Sequence, residues 1–329
     1  MALLKKRFGA HLTERAQKAL ASRRACPPPQ LLRNPLTRDL AKRLAEADWA
    51  ATLAQIDFPY TIEDEEIAGV NCVRYRAGRS DPGAPLILYL HAGAFISGSP
   101  RINAGAVLPS CHLAGFEGLG VDYSLAPGAV YPTQLDEIER VYLAVTAADR
   151  PASRLVLMGD SAGGALALSS LQRWRRKGLP LPAGVVVLSP VADASSRSDT
   201  YFTLKGRDPI FGAVGASGTT TVFDLYAPGE DRSNPEVSPI EGDYDGMPPM
   251  LIHVGSREIF LGDSARLAEK ARRAGVDVSL RVFDGLFHLF HLHWELEDAK
   301  AAHHDIAAFI ARTAGAAAPS ARRAGAGCG

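Results

Sequence analysis

The stretch Gly159-Asp160-Ser161-Ala162-Gly163 places a serine between two glycines, directly after the apolar run RLVLM and before GALALSSL. A G-x-S-x-G segment between a strand and a helix makes a sharp, strained turn that exposes the serine hydroxyl as a nucleophile. Small-residue turns into helices have the same pattern, so this spacing alone leaves both interpretations open.

A serine becomes an effective nucleophile when an imidazole accepts its proton and a carboxylate holds that imidazole. On an α/β sheet with such a turn, the acid and then the histidine follow the serine, in loops after later strands. His288 follows the predicted strand VDVSLRVF, and Glu258 follows PMLIHVG. Asp263 stands directly before a predicted helix and resembles its N-cap. We predict Glu258 as the acid, with Asp263 as the alternative.

Backbone amides that bind a developing oxyanion complete this chemistry. The run YLHAGAF ends a predicted strand in small residues, which would let amides of Gly93 and Ala94 point into a site. The amide of Ala162, next to the serine, is the predicted third donor. A glycine turn at a strand end is the alternative interpretation of this loop.

Histidines near the C-terminus allow a second kind of site. His288, His291 and His293 are spaced H-x-x-H-x-H with Glu295 nearby, but this matches no strong zinc signature. We place His291 and His293 in the final predicted helix, and His303 and His304 on its solvated face. We therefore predict no metal and no organic cofactor.

Predicted strands alternate with helices from about residue 60, and most of the strands are continuous apolar runs, as in a parallel sheet that is buried on both faces. This alternation predicts one α/β domain with a mostly parallel central sheet flanked by helices. The strand candidates are VNCVRYRA, PLILYLH, FEGLGVDY, RLVLM, AGVVVLS, PMLIHVG and VDVSLRVF.

Segments outside this alternation define the organisation of the chain. Residues 1–55 are predicted to be helical, with Thr37 as the N-cap of the clearest helix. A long connection at 194–247 predicts a lid or binding insert, with the insert itself at about 194–230. The catalytic domain is predicted at 56–315, and the Ala/Gly-rich tail 316–329 is predicted to be disordered.

Composition limits the partners. The 329 residues have 36 basic and 36 acidic side chains, so no net field attracts nucleic acid or an anionic membrane. No apolar run is long enough for a signal sequence or a membrane span, which predicts a cytoplasmic protein without membrane contact. The 4 cysteines are scattered and predict free thiols.

Several separated motifs together resemble the hormone-sensitive-lipase-like branch of the α/β hydrolases, over residues 85–295. The resemblance implies an α/β-hydrolase fold with a helical cap made from the N-terminal segment and the insert, and a carboxylesterase acting on short acyl esters. It also implies Ser161 as nucleophile, His288 as general base and acid and Glu258 as orienting acid. The motifs are HAGAF, VDYSLAP, GDSAGG, SPIEGDYDGMPPMLIHVGSREIFLGDS and FDGLFHLF.

This chain departs from the family's pattern at three places. The usual H-G-G-G is His91-Ala92-Gly93-Ala94, the acid is more often Asp, and the common Glu after LAP is Gly128. A small-molecule ester is the predicted substrate. A lactone or amide hydrolase with the same triad, a non-catalytic ligand-binding homologue and a homodimer remain open.

Overall fold

The computed structural model describes residues 12–22, 25–78, 84–148 and 150–315, so the predicted tail at 316–329 lies outside the described residues. The strands are β1 (Tyr60–Ile67), β2 (Val70–Ala77), β3 (Leu86–Leu90), β4 (Glu117–Val121), β5 (Leu155–Asp160), β6 (Gly184–Leu188), β7 (Met250–Gly255) and β8 (Val278–Phe283). The helices are α1 (Glu14–Ala21), α2 (Pro29–Arg33), α3 (Pro35–Leu53), α4 (Leu108–Ala114), α5 (Thr133–Ala148), α6 (Ala162–Arg176), α7 (Thr200–Thr203), α8 (Gly215–Tyr226), α9 (Leu261–Arg273) and α10 (Glu297–Ala314).

The strands form one 8-stranded sheet in the order β1-β2-β4-β3-β5-β6-β7-β8. From β4 to β8 all pairings are parallel, whereas β1 and β2 run antiparallel at one edge. The fold is the predicted α/β-hydrolase fold. Its parallel strands direct their carboxyl ends, and the loops after β3, β5, β7 and β8, to the same side of the sheet.

Alternate residues of the central strands enter two different cores. On β3, Leu86, Leu88 and Leu90 pack on one face, while Ile87 and Tyr89 pack on the other. Helices α5 and α6 contact each other, and α4 and α10 likewise form a pair. Cover on both faces explains why these strands are continuous apolar runs rather than alternating ones.

Strand β1 is absent from the sequence-based prediction. Half of its sequence, YTIEDEEI, is acidic, and each of its residues is either exposed or only partly buried. The acidic side chains find partners on β2, where Arg74 contacts Glu65 at 2.9 Å and Arg76 contacts Glu63 at 2.5 Å. An edge strand of this kind is stabilised by cross-strand ion pairs, which an apolar pattern cannot reveal.

Helix α3 confirms the clearest predicted N-terminal helix but corrects its start. Asn34 is the N-cap and accepts hydrogen bonds from the amides of Leu36 and Thr37, with Pro35 as the first helical residue. The prediction of Thr37 as N-cap is wrong, because Asn34-Pro35 supplies both a capping oxygen and a fixed first φ angle. Within the described ranges, no helix has the length and apolar character needed to cross a membrane.

Candidate active site

Ser161 stands between β5 and α6, with φ 52° and ψ −116°. The flanking glycines are required by close backbone contacts. A Cβ on Gly159 would lie 2.2 Å from the carbonyl oxygen of Gly163, and a Cβ on Gly163 would lie 2.0 Å from that of Leu90. The strained serine is held because α6 packs directly against the sheet, and only glycine fits on either side of it.

His288 connects the serine to a buried acid. Its Nε2 lies 3.0 Å from Ser161 Oγ, and its Nδ1 lies 2.8 Å from Glu258 Oε2. The other carboxylate oxygen, Glu258 Oε1, accepts hydrogen bonds from Ser189 Oγ at 2.8 Å and from the amide of Gly255 at 2.5 Å. Glu258 is fully buried and Ser161 and His288 nearly so, which makes each of these polar contacts well shielded from water.

Ser189 was not anticipated from the sequence. It follows β6 in the run LSPVAD, and neither its type nor its spacing marks it as a partner of an acid 69 residues further along the chain. Its contact with Glu258 exists only because β6 and β7 are neighbours in the sheet.

Asp263, the alternative acid, lies elsewhere. It is in the first turn of α9, and Phe260 occupies the N-cap position, so its predicted capping role is wrong. Its carboxylate instead accepts from the hydroxyls of Ser198 at 2.5 Å and Tyr201 at 3.0 Å, besides two backbone amides. Burial is the main cause that raises its pKa to about 6. Asp263 thus fastens the long β6–β7 connection to α9.

The loop after β3 brings its amides to the serine. Gly93, Ala94 and Phe95 have φ values of 139°, 54° and 61°. A Cβ on Gly93 would lie 1.8 Å from the carbonyl oxygen of Ser97, so this glycine is required. In the described part of the chain, the amides of Gly93, Ala94 and Ala162 donate no hydrogen bond to a protein acceptor. All three residues line the same cavity as Ser161 and His288.

Two buried titratable groups brace this end of the sheet. Asp160, directly before the serine, accepts a hydrogen bond from Tyr89 at 2.9 Å, and burial raises its pKa to about 7. His91 stacks on Tyr123 with 4.1 Å between ring centroids, and burial lowers its pKa to about 4. A neutral His91 at the base of the loop places no cation beside the amides.

The cavity above the serine has a volume of about 290 Å³ and a mostly apolar lining. Besides residues of the loops after β5, β7 and β8, its walls come from three parts of the chain: the N-terminal segment, the loop after β3 and the β6–β7 connection. The residues include Leu32, Leu44 and Trp49 from the first part, Ala94 and Phe95 from the second, and Phe211, Thr219, Val222 and Phe223 from the third.

The remaining C-terminal histidines lie apart from the serine and correct the predicted helix. His291 is in a 3-10 turn and His293 in the following connection, both before α10 begins. His303 is fully buried rather than solvated, with Nδ1 2.8 Å from Ser110 Oγ and Nε2 3.0 Å from the carbonyl oxygen of His291. No group of three or more His, Cys, Asp or Glu side chains in the described ranges is arranged to hold a metal ion.

A nucleophilic turn, a histidine and a buried acid on one end of a mostly parallel sheet define a hydrolase of the α/β class. A family model of the alpha/beta hydrolase fold matches residues 87–292. An esterase of Acinetobacter venetianus is 33% identical over 247 residues, 74% of this chain and 79% of that protein. An acetyl-hydrolase of Streptomyces hygroscopicus is 33% identical over 205 residues, 62% of this chain and 68% of that protein.

The similarity extends to solved structures. The crystal structure of an esterase from the bacterial hormone-sensitive lipase family has a TM-score of 0.80 and 29% identity, covering 90% of this chain and 95% of that chain. The chain therefore belongs to the α/β-hydrolase family, in its hormone-sensitive-lipase-like branch of carboxylic ester hydrolases.

Proposed function

We propose that the protein is a serine carboxylesterase that hydrolyses short-to-medium acyl esters through Ser161, His288 and Glu258. The observation that carries the proposal is the continuous contact from Ser161 Oγ through both ring nitrogens of His288 to a buried carboxylate, at 3.0 and 2.8 Å. These separations are within hydrogen-bond reach, as a nucleophile and its base require.

In the proposed first step, Ser161 Oγ attacks the ester carbonyl carbon while His288 Nε2 accepts the hydroxyl proton. Glu258 Oε2 accepts from Nδ1–H, which fixes the tautomer and stabilises the imidazolium that forms. His288 then gives the proton to the leaving alcohol. Water attacks the acyl-serine in the second step by the same proton path and releases the acid.

The carbonyl oxygen becomes an oxyanion in both steps, and we assign its stabilisation to the amides of Gly93, Ala94 and Ala162. Amides that donate to no protein acceptor are free to donate to the oxyanion without first breaking another hydrogen bond. Donors fixed in advance by a rigid loop cost no reorganisation at the moment of reaction. The left-handed backbone conformation is unfavourable for an alanine, and at Ala94 it directs these amides into the cavity.

The cavity supports a small apolar substrate. At about 290 Å³ it lies at the low end of small-molecule sites, and apolar side chains make most of its lining. The similarity to an acetyl-hydrolase also favours a substrate with a short acyl group. We assign residues 1–55 and about 194–230 as two pieces of a cap over the catalytic domain at 56–315, because both contribute cavity walls.

Hydrolysis of p-nitrophenyl butyrate tests the proposal. Ser161→Ala and His288→Ala are each expected to lower kcat by about 10⁵- to 10⁶-fold, because the two residues act as one unit. The matched controls are Ser170→Ala and His304→Ala. Ser170 is buried in the same helix as Ser161, and its hydroxyl has no hydrogen-bond partner in the described part of the chain; His304 is on the exposed face of α10. Turnover at the wild-type rate in either Ser161→Ala or His288→Ala would refute the assignment.

Matched esters, lactones and amides of graded acyl length decide the substrate class. We expect kcat/KM to be highest for short acyl esters, since a small apolar cavity discriminates by about 10- to 200-fold per methylene group. Higher kcat/KM for the lactones or amides would replace the ester assignment while leaving the triad in place.

A further inference from the structure

Asp208 is a buried carboxylate in the β6–β7 connection that the proposed chemistry does not use. It is 4% exposed, and both of its oxygens accept hydrogen bonds from backbone amides. Oδ1 accepts from Ile210 at 2.8 Å and Phe211 at 2.9 Å, which closes a local turn. Oδ2 accepts from Ile259 at 2.9 Å, 51 residues away in the chain. A turn needs only the first of these oxygens, so the second one joins two separate loops.

The loop reached through Oδ2 carries the proposed acid. Ile259 lies between Glu258, which contacts His288 Nδ1, and Phe260, whose ring centroid is 5.2 Å from that of His288. The amide of Ile259 therefore fixes the loop at the point between two contacts to the imidazole.

The turn closed through Oδ1 reaches the same imidazole from another side. The ring of Phe211 meets His288 edge-on, with 5.0 Å between centroids and an interplanar angle of 82°. The peptide carbonyl of Ile210 also accepts a hydrogen bond from the amide of Cys26 at 2.6 Å, which ties in the N-terminal segment. The carboxylate thus joins the β6–β7 connection to the Glu258 loop directly, and the N-terminal segment binds to the same turn.

We propose that Asp208 is a positioning residue that holds the Glu258 loop and the Phe211 ring in register around His288. One carboxylate with two acceptor oxygens suits this role, because each oxygen fixes a different loop. Burial raises the pKa of Asp208, and the three backbone amides and the nearby His288 oppose that rise. The inference rests on the proposed function, in that it assigns Asp208 to support the same histidine.

Asp208→Asn tests this with little change in volume. Whichever way its amide is oriented, an NH₂ group faces either the Ile259 amide or the Ile210–Phe211 pair, so one link is lost. We expect kcat for p-nitrophenyl acetate, per titrated active site, to fall about 10- to 100-fold, because small misplacement of a base has that effect. KM should change by less than about threefold, since a short acyl group makes few wall contacts.

The matched control is Asp263→Asn, which also removes a buried carboxylate, on α9, whose partners lie in the β6–β7 connection and not in the Glu258 loop or the turn at Phe211. Both variants should lower the thermal midpoint, and only Asp208→Asn should lower kcat. An unchanged kcat per active site in Asp208→Asn, or an equal loss in Asp263→Asn, would overturn the proposal.

A second variant covers the case in which Asp208→Asn yields no folded protein. Phe211→Leu keeps an apolar wall but removes the ring that Asp208 holds against His288, and kcat should fall about tenfold; an unchanged kcat would overturn the inference. Labelling of Ser161 by a fluorophosphonate, which also needs His288, separates the two proposals. A wild-type chain that labels but hydrolyses no ester refutes the esterase, while slower labelling in Asp208→Asn still supports the positioning role.

Discussion

Glu258 reaches His288 because the loop after β7 is arranged for a glutamate rather than an aspartate. Gly255 and Ser189 hold one carboxylate oxygen close to the strand end, and the longer side chain presents the other to His288 Nδ1. A Cβ on Gly255 would lie 3.0 Å from Glu258 Oε1 and 2.4 Å from the carbonyl oxygen of Leu286. The departure from the family's usual aspartate is thus accommodated by neighbours that fix the carboxylate.

Substitution at Glu258 follows from that geometry. Glu258→Gln preserves the acceptor for Ser189 and Gly255 but turns an amide NH₂ toward His288 Nδ1, which favours the wrong tautomer. We expect kcat for p-nitrophenyl butyrate to fall by about 10³- to 10⁴-fold, because His288 is held in the wrong tautomer while the protein remains folded. Asp263→Asn is the comparison, and a larger loss of kcat there than in Glu258→Gln would contradict the assignment of the acid.

At the scale of single residues, the sequence predicted the contacts that follow from the order of residues along the chain. It missed the contacts that form only when distant segments pack against each other. Chain order alone placed Ser161, Glu258 and His288 in loops at one end of parallel strands. Ser189 and Asp208 could not be found that way, because each meets its partner only after distant segments pack together. His303 was misplaced for the same reason, since burial against Ser110 cannot be read from a helix face rich in alanine.

At the scale of elements, helix α8 forms one wall of the cavity. Thr219 is buried and lines the cavity, while its neighbour Thr220 is exposed and hydrogen-bonds the carbonyl oxygen of Ala216. A larger side chain at position 219 would therefore enter the proposed acyl site, whereas a larger side chain at position 220 would extend into solvent.

Thr219→Trp is expected to fill part of the cavity and shift the enzyme toward the shortest esters. The ratio of kcat/KM for p-nitrophenyl acetate over octanoate should rise at least about tenfold, since long chains need the filled volume. Thr220→Trp should leave that ratio near the wild-type value. A rise in both variants, or in neither, would show that α8 does not select the acyl chain.

The elements most accurately predicted from sequence were the strands. All seven predicted strands correspond to β2–β8, and the apolar runs of β3–β7 follow from cover on both faces. The edge strand β1 was missed because ion pairs with Arg74 and Arg76 replace apolar burial there. The predicted helix boundaries were less accurate where the N-cap residue determines the start of the helix, as Asn34 does for α3.

At the scale of the whole molecule, buried neutral histidines make the fold sensitive to acid. His253 on β7 contacts His291, which in turn contacts His303, and burial is the main cause that lowers the pKa of each. Both ring nitrogens of His253 and His291 lack a hydrogen-bond partner among the residues that the structure describes. Below about pH 6.5 these histidines become protonated in the unfolded chain but stay neutral in the folded protein. The free energy of unfolding therefore falls as pH falls.

Buried carboxyl groups act in the opposite direction. Asp160 and Asp263, with pKa values raised to about 7 and about 6, hold protons in the folded protein that the unfolded chain releases above its ordinary carboxyl pKa. These two groups stabilise the fold as pH falls toward 4. His91 adds to the three histidines, since burial lowers its pKa to about 4. Burial also raises the pKa of Asp122 and Asp208, so these carboxyl groups partly offset the loss of stability that the four histidines cause on acidification from pH 6.5.

His253 isolates one of these contributions. It stacks on His291 with 5.6 Å between ring centroids, contacts Phe283, and has a pKa lowered to about 3. Its nearest opposite charge, Asp305, lies 3.9 Å from Nε2 and also pairs with Arg281, so it does little to favour a protonated His253. The side chain therefore remains neutral in the folded protein across the pH range in which the unfolded chain becomes protonated.

His253→Leu should reduce the dependence of the free energy of unfolding on pH, because leucine is an apolar side chain of similar size that cannot be protonated in either state. Between pH 6.5 and 5, the wild-type free energy of unfolding should fall by about 2 kcal/mol more than that of the variant, one proton over one and a half pH units. Urea unfolding at the two pH values measures this difference, with His304→Gln on the exposed face of α10 as the control. If wild type and His253→Leu lose stability equally over this range, His253 is not among the groups that make the fold acid-sensitive.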